Sequence, residues 1–141
     1  MQKTLKHTIE LEVKFSEVDS LGIVWHGHYI QYFEDGREAF GKQHGLSYLS
    51  FFDHGFVTPL VNIHCDFKRS LKYGDIVIVE TDYVLCESAK LKFNYKLFNA
   101  ATGQVVAVGY SVQVFLDAKE NLLQLTNPPF FQDWKDKQNF S

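Results

Sequence analysis

The sequence predicts an α+β fold in which one long helix is wrapped by a curved antiparallel sheet. Three observations carry that expectation. Residues 27–44 space their apolar side chains as a helix does, and no second helical segment of that length interrupts the rest. Five segments alternate apolar and polar residues, or are rich in β-branched and aromatic ones. The connections "KYGD", "CESA" and "NAATGQ" are short and turn-forming, which pairs the flanking strands as antiparallel neighbours. A flat sheet cannot cover one helix on all sides, whereas a strongly twisted sheet curls around it.

Taken in order, the first strand is expected over His7 to Phe15, with Ile9, Leu11, Val13 and Phe15 on one side. Residues Ser16 to Trp25 lose that regularity around Gly22 and read as a loop. The helix follows from about Gly27 to His44. Ile30, Phe33, Arg37, Phe40 and Gly41 fall near one face, with Gln31, Asp35, Glu38 and Lys42 towards the other. Gly36 and Gly41 each cost about 1 kcal/mol relative to alanine there, a cost that close packing on a sheet offsets. Gly45 is a natural stop.

Four strands come next. "FVTPLVNIHCDFKRS" carries Val57, Val61, Ile63, Cys65 and Phe67 near one parity, and "DIVIVETDYVLCES" is β-branched and aromatic throughout. "KLKFNYKLF" alternates most cleanly, Leu91, Phe93, Tyr95 and Leu97 against Lys90, Lys92, Asn94 and Lys96. "QVVAVGYSVQVFLD" places Val106, Val108, Tyr110, Val112 and Val114 on one face. Pro128 and Pro129 then block further pairing, and "FFQDWKDKQNF" is expected to form a short terminal helix.

Composition narrows the function classes. A chain of 141 residues is most simply one domain spanning 1–141, long enough to bury an ordinary core. Hydrophobic residues at 45% and charged ones at 22% fit a soluble globular protein and exclude disorder. A formal charge of -3 argues against a nucleic-acid surface, while leaving room for a polyanionic small ligand held by a few local cations. Cys65 and Cys86 lack the neighbours of a zinc site and read as buried free thiols. The start, "MQKTLKHTIELEVKF", has no continuous apolar stretch of the signal-peptide kind, and no run reaches the ~20 apolar residues of a membrane span. The expected location is the cytoplasm.

The chemistry-bearing stretch is "EVDSLGIVWHGHYIQYFEDGREAF", Glu17 to Phe40. Within it "DSLGIVWHGHY" followed by "FE" resembles the signature of the 4-hydroxybenzoyl-CoA thioesterase-like family of hotdog folds, in which an aspartate, a glycine turn and the start of the helix succeed one another. "YGD" at Tyr73 to Asp75 resembles that family's turn after the second strand, and the order of elements agrees over nearly the whole chain. His28 stands where the family usually has asparagine. The resemblance implies a hotdog fold working as a homodimer or homotetramer. It also implies hydrolysis of an acyl-CoA or acyl-carrier-protein thioester, with Asp19 as nucleophile or general base. The helix-start amides around His26, Gly27 and His28 would polarise the carbonyl, and Glu34 matches the family's helical acidic residue.

That placement makes chemical sense. Thioester hydrolysis develops negative charge on the carbonyl oxygen, and the start of a helix offers unpaired N–H groups at the positive end of its dipole. A carboxylate beside it attacks the carbonyl or takes a proton from water. No metal or organic cofactor is required. Duller readings stand beside each assignment. Asp19 is also a good turn residue, His26 matters through its side chain or only through its amide, and Glu34 is spaced to pair with Arg37. His26 and His28 form an H-x-H pair to which His54, His64 and Asp66 are conceivable additions, but the spacing specifies no metal site. Lys68, Arg69 and Lys72 end the second strand, either as a CoA phosphate site or as a solvated strand end. Trp25, Tyr29, Phe33, Phe51 and Phe52 are candidate walls for an acyl pocket, and equally candidates for the core. A hydratase or dehydratase on the same fold, and a catalytically silent acyl-binding protein, are the rival functions.

Overall fold

The computed structural model describes residues 5–138. The opening residues 1–4 of the N-terminal stretch and the closing residues 139–141 lie outside the described residues. Strand β1 (Leu5–Glu12) leads through a 3-10 turn (Phe15–Glu17) and a loop into the long helix α1 (Gly27–His44). A short helix α2 (Tyr48–Asp53) and a two-residue strand β2 (Phe56–Val57) precede β3 (Leu60–Phe67). Strands β4 (Ile76–Val84), β5 (Lys90–Asn99) and β6 (Val105–Val114) follow. A second two-residue strand, β7 (Leu116–Asp117), and helix α3 (Pro129–Gln138) end the described chain. The main sheet is antiparallel in the order β1-β4-β5-β6-β3, with β2 and β7 forming a separate ribbon.

The long helix lies against the inner face of this sheet, as its amphipathic spacing requires. Phe33 stacks on Tyr95 of β5 with ring centroids 4.6 Å apart, and Phe40 meets Phe93 edge-on at 5.2 Å. Burial of side chains of this kind supplies about 1.5–3 kcal/mol each. Alternating Val77, Val79, Thr81 and Tyr83 of β4, and Leu91, Phe93, Tyr95 and Leu97 of β5, complete the interior. Helix and sheet approach closely because Gly36 faces Val79 and Thr81, where a Cβ would come within 2.5 Å of both side chains. At the far end α3 seals the core with Phe131 and Trp134, whose indole N–H donates to the His44 carbonyl (2.6 Å) and so satisfies an end group of α1.

The expected elements are present, with several differences, among them the division of the strand expected from Phe56 into β2 and β3. The first strand ends at Glu12, and Phe15 is 77% exposed instead of extending the strand's inner side. The chain turns there because Glu17 accepts the Lys14 N–H (2.8 Å), and the freed Phe15 ring packs edge-on against Tyr73. The buried face of α1 adds Tyr29, Tyr32 and Gly36 to Phe33, Phe40 and Gly41, while Ile30 and Arg37 are only half-buried. In β6 Val106 leaves the face it was expected to share. Ala107, Gly109, Ser111 and Gln113 face the helix, with Phe33 packed against the bare Gly109 backbone; Val108, Tyr110 and Val112 share the outer face, and Val106 departs from them into the core. Finally α2 forms between Gly45 and Phe56, a stretch to which the sequence pattern assigns no element; Ser47 caps it by accepting the Ser50 N–H (3.3 Å).

Candidate active site

The site is built by the loop that joins β1 to α1. Glu17, nearly buried, accepts the Lys14 amide (2.8 Å) and the Tyr32 hydroxyl (3.0 Å), while its own carbonyl accepts the Trp25 amide (3.0 Å). The buried, anion-facing position of Tyr32 pushes its hydroxyl pKa far above the usual phenol value, so it stays a donor. Between those anchors Asp19 N–H donates to Ile23 (2.8 Å) and Gly22 N–H to Asp19 (2.9 Å), closing a tight turn. Gly22 takes φ +80, a left-handed value that a side chain would resist. The Asp19 side chain is exposed, and its Oδ1 accepts the Leu21 amide (2.8 Å). Val24 N–H to Leu71 (2.8 Å) and a bridge from Ile23 to Lys72 tie the turn to the segment after β3.

The start of α1 is uncapped. His26 occupies the cap position in a helical conformation, and its side chain makes no capping hydrogen bond. The amides of His28 and Tyr29 already donate to the carbonyls of Trp25 (3.0 Å) and His26 (3.1 Å). Those of His26 and Gly27 have no hydrogen-bond partner among the described residues and carry the positive end of the helix dipole. A Cβ at Gly27 would meet the Trp25 ring, so the indole rests over the bare glycine and a side chain there would displace it. That indole, half-exposed, is flanked by the rings of His26 (4.9 Å) and His28 (5.7 Å).

Beside the helix start lies an open depression of about 290 Å³ lined by Ile23, Val24, His26 and Tyr29 on one side and Phe67 to Ser70 on the other. Tyr29 donates its hydroxyl to the Arg69 carbonyl (2.9 Å), which fixes the end of β3 against the helix. Phe67 packs against both Tyr29 (5.3 Å) and His26 (5.8 Å). Lys68, Arg69 and Lys72 are all exposed at this rim.

The fold therefore gathers His26, Lys68 and Arg69 around one depression, with Gly27 next to His26 at the helix start and Asp19 and Lys72 on the turn and segment joined to it. His28 sits at the helix start, but its amide is committed and its ring Nδ1 is 3.0 Å from Gln31 Oε1. Glu34 is exposed on α1, one turn further on, and forms no ion pair with Arg37 among the described residues. The additional histidines have other partners. His54 stacks on Phe130 (4.3 Å), and His64 pairs with Asp66 (3.0 Å) on the outer face of the sheet. Among the described residues, no three His, Cys, Asp or Glu side chains come together as a metal site. Both cysteines are free and half-buried, and burial pushes the Cys65 thiol up to about 11. Of the proposed pocket aromatics, Phe33 belongs to the core and Phe52 faces solvent. Sequence reasoning missed Glu17, Tyr32 and Phe67. Glu17 had a local signal, an acidic residue three positions after Lys14 at the start of a turn.

The fold and the sequence have known counterparts. The sequence pattern described as the thioesterase-like superfamily matches residues 13–135. A Bacillus subtilis (strain 168) relative named "Putative acyl-CoA thioesterase YneP" is 31% identical over 125 residues, covering 89% of each chain. The chain belongs to the thioesterase-like superfamily. Solved structures with the same fold include the DHNA-CoA thioesterase of Staphylococcus aureus, with a TM-score of 0.84, 21% identity and coverage of 94% of this chain and 90% of that one. The 4-hydroxybenzoyl CoA thioesterase of Pseudomonas sp. strain CBS-3 superposes with a TM-score of 0.79 at 20% identity, covering 93% and 97%. The protein is thus a thioester hydrolase on the hotdog fold.

Proposed function

We propose that the protein hydrolyses an acyl-CoA thioester to the free acid and the CoA thiol. The thioester carbonyl oxygen lies against the amides of His26 and Gly27, which receive the charge that develops as the carbonyl carbon becomes tetrahedral. Asp19 attacks that carbon or deprotonates the water that does. The C–S bond then breaks, and the thiolate leaves with a proton from solvent; where Asp19 is the nucleophile, water then hydrolyses the acyl–Asp19 anhydride to the free acid and restores the carboxylate. Lys68, Arg69 and Lys72 bind the nucleotide phosphates through charge-assisted hydrogen bonds. Glu34, exposed on the following turn, contacts the acyl group.

The observation that carries this reading is the uncapped helix start. A helix of this length ordinarily gains about 1 kcal/mol from a Ser, Thr, Asp or Asn cap; here the position holds His26 and two amides stay open beside a basic rim. The test is release of free thiol from a panel of short, medium-chain and aromatic acyl-CoAs by the purified protein. Turnover of at least one member at kcat/KM of about 10⁴ M⁻¹s⁻¹ or more is expected. Tight binding across the panel with no thiol released would instead establish a silent acyl-binding protein. A carrier-protein thioester run alongside decides which carrier the basic rim serves.

A further inference from the structure

Further along α1 a second cavity, of about 200 Å³, lies between the helix and the inner face of β5 and β6. Phe51, Leu91 and Phe93 give it apolar walls, and Arg37, Glu38 and Gln113 bring polar groups to it. Arg37 and Gln113 each leave one polar atom buried without a hydrogen-bond partner among the described residues, Nη1 and Oε1 respectively. The Gln113 amide is oriented, because its Nε2 donates to the Thr58 carbonyl (2.7 Å) and to Thr58 Oγ1 (3.2 Å); the acceptor is the atom left over. The Arg37 guanidinium sits near the Tyr95 hydroxyl and has no carboxylate partner within ion-pair distance among the described residues. One wall thus holds a spare donor and the other a spare acceptor, an arrangement that protein interiors seldom leave unanswered.

We propose that this cavity receives the far end of the acyl group and binds a hydroxyl there, donated to by Arg37 and accepted by Gln113. A hydroxyl is the small group that satisfies both atoms at once. A carboxylate would confront Glu38 and the Gln113 carbonyl oxygen in the same walls. The inference rests on the thioesterase reading and adds its substrate class, a medium-chain acyl thioester hydroxylated at its distal end. Ile30, Glu34 and Arg37 follow one another along one helix face, from the helix start towards the cavity. Arg37 lies about 13 Å along the axis from His28. At roughly 1.2 Å per bond of extended chain, an acyl group of about eleven bonds spans that distance.

The probes are non-hydrolysable thioether analogues of dodecanoyl-CoA and ω-hydroxydodecanoyl-CoA, titrated by calorimetry, with thiol release measured on the parent thioesters. The hydroxylated analogue should bind the wild-type protein about tenfold or more tightly than its unsubstituted match. That ratio should fall to about one in Arg37→Met and, on the opposite wall, in Gln113→Leu. Circular dichroism qualifies each variant, and the wild-type ratio tests the idea even where a variant fails to fold. Equal affinities in the wild type, or a preference surviving both substitutions, overturns the hydroxyl site. Hydrolysis without the preference leaves the thioesterase reading intact, whereas the preference without hydrolysis upholds the site and removes that reading.

Discussion

Glu17 links three segments around the candidate site: the end of β1 through Lys14, the helix through Tyr32, and the residue before the helix start through Trp25. Because it is only 8% exposed, water cannot replace its two side-chain bonds, to Lys14 and Tyr32, if the carboxylate is removed. Glu17→Ala should therefore lower stability by about 1.5–3 kcal/mol, the range for hydrogen bonds to a charged group. Glu17→Gln keeps Oε1 as an acceptor and should lose clearly less. Urea denaturation of the two variants measures the difference, and equal losses would mean that the carboxylate merely fills space. At this scale the sequence was only partly legible. Asp19, Gly22 and Gly27 stood out because turn chemistry and a compact signature mark them. Glu17 and Tyr32 lie fifteen positions apart, and nothing local announces a bond that only the folded loop creates.

Among the elements, α1 and β5 were read from periodicity because each has one wet and one dry face. β6 departs from simple alternation only at Val106, and which of its faces is inner has a physical reason. Val108 and Val112 cover the outer face and Val106 turns into the core, while Gly109, Ser111 and Gln113 keep the inner face small and polar, because Phe33 occupies the room that large side chains would need. The outer aromatic there is not bare either, with His64 stacked on Tyr110 (5.4 Å) and Lys92 above the ring (5.3 Å). The same closeness yields a prediction of definite sign. Helix propensity alone would make Gly36→Ala stabilising by about 1 kcal/mol. A Cβ at Gly36 meets Val79 and Thr81 at 2.5 Å, so overpacking should dominate and the variant should lose about 1–3 kcal/mol. Thermal denaturation decides it, and a rise in melting temperature would show that helix and sheet are less closely packed than described.

For the whole molecule, the open feature is β3. It is the sheet edge opposite β1, and it exposes Leu60 (38%), Val61 (58%) and Phe67 (49%) beside the basic rim. A long apolar edge strand is an association surface unless something blunts it. We expect a second copy to pair there, with dimers as the minimum unit and the candidate site close to the join through Phe67. Light scattering at micromolar concentration should report at least twice the 16.3 kDa chain mass. A monomer would require the site to function from one chain. Association was expected from the family resemblance; the apolar content of this edge became evident only in the structure, since the segment's burial pattern depends on what lies beyond the chain.

The account's central claim is that Asp19 supplies the anion and the helix-start amides supply the electrophilic partner. Turnover of Asp19→Asn and His26→Ala on the best acyl-CoA, after each is shown to fold, tests it most directly. Asp19→Asn keeps the shape and the acceptor for the Leu21 amide but removes the base or nucleophile, and kcat should fall about 10²-fold or more. His26→Ala retains its backbone N–H, so the loss should be much smaller and appear largely in KM. Near-native turnover in Asp19→Asn together with a dead His26→Ala enzyme would place the chemistry on the imidazole and contradict the assignment.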